Sequence, residues 1–78
     1  MDSSNNIKLR LNSIISHINN ILQDTKGIDY ELFKKSDLLI RASSFSLVQI
    51  GEQMIKLESI LKEQYPNIPW KYAKGMRN

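Results

Sequence analysis

Seventy-eight residues with a net charge of +3 and no cysteine make one domain at most, spanning residues 1–78, and exclude disulfides or thiolate metal sites as reinforcement. A chain this short buries only about 60% of its unfolded surface, so a partner subunit is the simplest further source of stability. No apolar run approaches the roughly 20 residues of a membrane span, and the start MDSSNNIKLRLN lacks the charged-then-apolar layout of a secretion signal; a soluble, cytoplasmic protein is expected.

The first element is an amphipathic helix. Ile7, Leu11, Ile14, Ile15, Ile18, Ile21 and Leu22 recur at steps of three and four and form one stripe at 100° per residue. Ser3, Ser4, Asn5 or Asn6 can cap its start, and Gly27 after Lys26 suits the position just past its end. His17, the single histidine, falls at the stripe's edge, where packing is expected of it rather than catalysis or metal binding, since one ligand makes no site.

The segment IDYELFKKS reads as a short link with one turn of helix, packed through Tyr30, Leu32 and Phe33. Ser36 can then cap a long helix from about residue 37 to about residue 64, and Pro66 lies where that helix must stop. Ile40, Leu47, Met54 and Leu61 repeat every seven residues, joined by Ile50 and Leu57. Leu38, Phe45, Val48 and Ile55 form a second stripe, turned roughly half a circle away. A helix that is apolar on two sides is sandwiched, so one stripe should take the first helix. The other needs the terminal helix, a second subunit, or both. The expected architecture is an all-α antiparallel helical bundle that dimerises.

Two residues in the long helix need a reason. Gly51 costs about 1 kcal/mol relative to alanine in a helix interior, which close packing would explain. Glu52 falls among Phe45, Val48 and Ile55 with Arg41 nearby, and a carboxylate there is costly unless it is paired, functional or partly exposed. In the stretch YPNIPW, Pro66 ends one helix, Asn67 or Ile68 caps the next, and Pro69 suits a first helical position. Trp70 anchors this last helix to the bundle, and Gly75 marks a packing contact or a close backbone approach across an interface. Charge is uneven: residues 1–65 hold eight basic and eight acidic side chains, whereas Lys71, Lys74 and Arg77 supply the whole excess. That segment could favour a polyanion such as RNA or be a plain solvated face.

The run IGEQMIKL followed by YPNIPWKYAKGMRN resembles the HepT-like branch of the HEPN superfamily, the toxin half of a bacterial and archaeal toxin–antitoxin pair. The likeness covers the whole chain, and its specific part is residues 50 to 78. It implies a helical homodimer around a cleft in which an arginine, and a histidine a few residues after it, cleave RNA with no metal and no cofactor. Arg77 takes the place of that arginine, Asn78 is the polar residue that follows, and Glu52 matches a helix-borne acid that could orient the arginine across the cleft. Such chemistry suits these residue types. A histidine near neutrality can take the ribose 2′-hydroxyl proton, while a guanidinium fork can stabilise the anionic phosphate.

The motif histidine would come a few residues after Asn78, as would a tyrosine that, in many members, a minimal nucleotidyltransferase antitoxin modifies with adenylate. Neither is among these 78 residues. The resemblance therefore implies a last helix cut short, exposed apolar surface on the long helix, and no cleavage by this chain; His17 is too remote to substitute. The alternative expectation is a catalytically inactive helical dimer that binds RNA or a protein partner.

Overall fold

A computed structural model describes residues 3–75. They form four helices, α1 (Ser3–Thr25), α2 (Tyr30–Lys35), α3 (Asp37–Leu61) and α4 (Trp70–Lys74), with no strand among the described residues. The molecule is all-α. The long helix α3 is its spine, against which α1, α4 and α2 each pack.

Each junction has a local cause. Gly27, with φ +75°, lets the chain leave α1 through a left-handed residue that a side chain would strain. Asp29 Oδ1 accepts the Leu32 N–H at 2.9 Å and so caps α2. Ser36 serves two helices. Its N–H donates to the Phe33 carbonyl at 3.0 Å, and its Oγ accepts the Leu39 N–H at 3.1 Å, which caps α3. Beyond Leu61, helical bonding persists as the Lys62 N–H reaches the Glu58 carbonyl and the Tyr65 N–H reaches the Leu61 carbonyl. Pro66 then ends it.

Several local expectations shift. α1 already includes Ser3 and continues through Ser4, Asn5 and Asn6, so these are helical residues rather than its cap. Helix α4 begins at Trp70, one residue later than a first-position Pro69, and Pro69 occupies the cap with no side-chain bond; neither Asn67 nor Ile68 caps it. In α2 only Phe33 is half-buried, while Tyr30 and Leu32 face solvent. A β-carbon at Gly75 would meet nothing within 4 Å, so no close contact within the described chain accounts for that glycine.

The core is small. Among the described residues, the buried hydrophobic side chains are Ile50, Leu57 and Trp70. Ile50 and Leu57 belong to the first stripe of α3, with Met54 and Leu61 half-buried beside them. On α1, Ile7, Ile14 and Ile21 are half-buried, but Leu11, Ile15, Ile18 and Leu22 are exposed, because α3 is narrower than the apolar face that α1 offers. The second stripe of α3 is also uncovered at its N-terminal end, where Leu38 is 71% and Phe45 61% exposed. The fold is correspondingly elongated, 42 × 22 × 17 Å with a radius of gyration of 14.4 Å, against about 11.5 Å for a compact chain of this length.

His17 packs at the α1–α3 boundary, its ring edge-on to Phe45 with centroids 6.1 Å apart. This is the packing role expected of it. No helix among the described residues is long and apolar enough to cross a membrane.

Candidate functional site

Glu52 projects from the middle of α3. It is half-buried, and its neighbour Gly51 is buried, as close packing requires. On the helical wheel Glu52 lies between Leu38 and Phe45 on one side and Val48 and Ile55 on the other. Val48 and Ile55 are half-buried, while Arg41 and Phe45 are exposed. The carboxylate thus stands on the face of α3 turned away from the Ile50–Leu57 core. Its awkward place among apolar residues is eased by this partial exposure, since full desolvation of the charge is avoided. Arg77 and Asn78, the other two candidate site residues, lie outside the described residues.

What brings α4 to α3 is well defined. Trp70 is 5% exposed, and its Nε1–H donates to the Tyr65 carbonyl at 3.1 Å, which satisfies the one polar group a buried indole carries. Four residues on, Lys74 Nζ meets Glu58 Oε1 at 2.6 Å. The second oxygen of Glu58 has Lys62 Nζ at 4.0 Å, one turn along α3. Trp70 sits at the Tyr65 end of α3 and Lys74 sits at Glu58, so α4 runs antiparallel to α3 and heads back toward the level of Glu52. The sequence reading anticipated the indole anchor. It did not foresee the Glu58 ion pair, which removes Lys74 from the basic residues that could face a polyanion.

A second polar contact was also missed. Arg10 Nη1–H donates to Gln53 Oε1 at 3.0 Å, joining α1 to α3. With Asn6, Leu9 and Ser13, these two residues line an open recess of about 180 Å³ on the face of α3 adjoining Glu52. The signal was present in the sequence: Arg10 falls three residues after Ile7 and four before Ile14, inside the period of the α1 stripe.

The all-helical spine with an acid at its centre and a tryptophan-anchored final helix defines a small helical-bundle class. Within it, the family described as "Ribonuclease HepT-like" matches residues 14–78. "Putative RNase MJ1380" of Methanocaldococcus jannaschii is 33% identical over 76 residues, covering 97% of this chain and 70% of that protein. "Putative RNase MJ0125" of the same organism is 38% identical over 72 residues, covering 92% and 62%. "Putative RNase TTE0752" of Caldanaerobacter subterraneus subsp. tengcongensis is 35% identical over 68 residues, covering 87% and 61%. The chain belongs to the HepT-like ribonuclease family. It spans between three fifths and seven tenths of the length of these relatives. No solved structure matches it.

Proposed function

We propose that this chain forms the dimeric, RNA-engaging body of a HepT-like endoribonuclease, the toxin half of a toxin–antitoxin pair whose partner is a minimal nucleotidyltransferase. The observation that carries the reading is the placement of Glu52. The one acid on the second stripe of α3 stands half-buried on the face turned away from the Ile50–Leu57 core, ringed by exposed and half-buried apolar side chains. A monomer gains nothing from such a face, since exposed apolar surface of this kind favours association. A two-fold pairing of α3 helices would cover it and would bring both Glu52 carboxylates to one cleft.

In this reading Arg77 supplies a fixed fork of donors to the scissile phosphate, Asn78 adds a neutral hydrogen bond, and Glu52 orients the guanidinium. Proton removal from the ribose 2′-hydroxyl needs a base that titrates near neutrality. The single histidine of these residues, His17, is packed against Phe45 and is not placed for that task. These 78 residues on their own therefore bind single-stranded RNA without cleaving it. A cytoplasmic site of action follows from the substrate.

Binding of a labelled single-stranded RNA, followed by anisotropy across a salt series, tests the assignment. Binding should weaken as salt rises, and Arg77→Ala should lower the log–log slope by about 0.7, the value for one phosphate contact on a single strand. A slope and affinity indifferent to Arg77→Ala would remove Arg77 from the RNA site. Cleavage by the 78-residue chain would contradict the need for the motif histidine.

A further inference from the structure

We propose that the recess between α1 and α3 holds a backbone phosphate of the RNA, gripped by Arg10 and Gln53; this rests on the RNA-engaging reading given above and extends it to residues that reading does not use. Asn6, Leu9, Arg10, Ser13 and Gln53 line an open space of about 180 Å³. Every polar side chain among them can donate a hydrogen bond, and none is a carboxylate. The only full charge in the lining is positive. Such a donor set fits an oxyanion and offers little to a cation.

The fold itself does not neutralise Arg10. The residue is half-buried on the side of α1 that meets α3, yet no acid among the described residues pairs with it. Its Nη1–H donates to a neutral acceptor, Gln53 Oε1, at 3.0 Å. Its buried Nε has no hydrogen-bond acceptor among the described residues. A guanidinium carries donors alone, and leaving them unanswered near the interior is costly. The same contact also sets the amide of Gln53. Arginine cannot accept a hydrogen bond, so the contact must use the amide oxygen, and both amide N–H donors remain for a ligand. Gln53 thus holds the fork and adds donors beside it, an arrangement that suits phosphate oxygens.

Position supplies the class of anion. Gln53 directly follows Glu52 on α3, so the recess opens at the border of the face read as the RNA site. Glu52 by itself repels a polyanion, and a cation at that border offsets the repulsion. A mere tie between two helices needs no charge. A phosphate contact does.

Two measurements on the 78-residue chain test the site. In isotope-labelled native protein, the Arg10 Nε–H and Gln53 side-chain amide signals are followed by NMR during titration with single-stranded RNA. A separate titration uses inorganic phosphate at matched ionic strength. Both signals should move saturably with RNA, over the concentrations at which anisotropy reports binding, and less with inorganic phosphate, which lacks the strand's other contacts. In the salt series, Arg10→Gln should lower the log–log slope by about 0.7, one phosphate contact on a single strand. Arg10→Lys should keep the slope and weaken binding, since it retains the charge without the fork. Circular dichroism checks helix content in each variant, and if Arg10→Gln does not fold, the titrations of the native chain decide alone.

RNA binding that leaves both signals still, or a slope that Arg10→Gln does not change, would overturn the phosphate site while the RNA reading stands. A loss of thermal stability in Arg10→Gln at unchanged slope would reduce Arg10 to a tie between helices. Movement with inorganic phosphate but not with RNA would make the recess a site for a free anion, and would also overturn the proposal. A native chain that binds no RNA at any salt concentration would overturn the RNA-engaging reading and this inference with it.

Discussion

At the scale of single residues, two side chains bear unequal loads. Trp70 couples burial of a large ring to a satisfied indole N–H. Truncation to alanine should cost about 3–5 kcal/mol, a large part of the stability of so small a domain. Replacement by phenylalanine keeps most of the apolar contact and removes the hydrogen bond, so urea denaturation should give a loss nearer 1 kcal/mol; equal losses for the two variants would show that the indole N–H, and not the apolar contact that a phenyl ring retains, carries the anchor. Glu52 is a different case, since the role proposed for it lies in its effect on Arg77. If the carboxylate acts by orienting that guanidinium, Glu52→Gln should change RNA affinity in the native chain and have no effect once Arg77 is alanine. A double-mutant cycle should show coupling of roughly 0.5–3 kcal/mol, and strictly additive effects would separate the two residues.

Helix by helix, the boundaries follow from side chains whose chemistry could be read beforehand, with instructive exceptions. Ser36 was legible as a cap because a hydroxyl before a long apolar-periodic run can accept an orphan N–H. Ser36→Ala should lower thermal stability by about 1 kcal/mol, and no change would mean that α3 is held by packing alone. Gly27 was legible for the same kind of reason: a residue that must turn left after a helix is best a glycine. The start of α1 was not, because Ser4, Asn5 and Asn6 can each cap or continue a helix, and local propensity does not choose. The period of α3 showed two apolar stripes but not which one the first helix would take; it is the stripe of Ile50 and Leu57 that is buried, and only over that part, since Ile40 and Leu47 are exposed. Its partner α1 was read as burying its whole stripe. Periodicity gives the direction of an apolar face but not its width, and Leu11, Ile15, Ile18 and Leu22 exceed what one neighbouring helix can cover. The Glu58–Lys74 contact was illegible for another reason: it joins residues from different helices, and no period within one helix reports it. For Arg10–Gln53 the α1 period points to the arginine but not to its partner.

Across the whole molecule, the account turns on surface that the chain cannot cover by itself. An elongated bundle with three buried hydrophobic side chains among its described residues leaves apolar faces open on both α1 and α3. The α3 face is the one that carries Glu52, so assembly and RNA chemistry are read from the same surface. The family was legible from residues 50–78 because those positions combine a helix-borne glycine–glutamate step with a proline–tryptophan helix start, a pairing that helix periodicity alone does not require. The course of α4 along α3 was not, because it depends on contacts between helices such as Glu58–Lys74.

The most direct test is the mass of the particle in solution, by light scattering, for the native chain and for Phe45→Glu. Phe45 is 61% exposed, so a charge there should cost the monomer little while blocking a pairing of α3 faces. The account predicts twice the 9.1 kDa of one chain for the native protein and a single-chain mass, with native helix content, for the variant. A native monomer, or a dimer that Phe45→Glu leaves whole, would contradict a cleft built on the Glu52 face of α3.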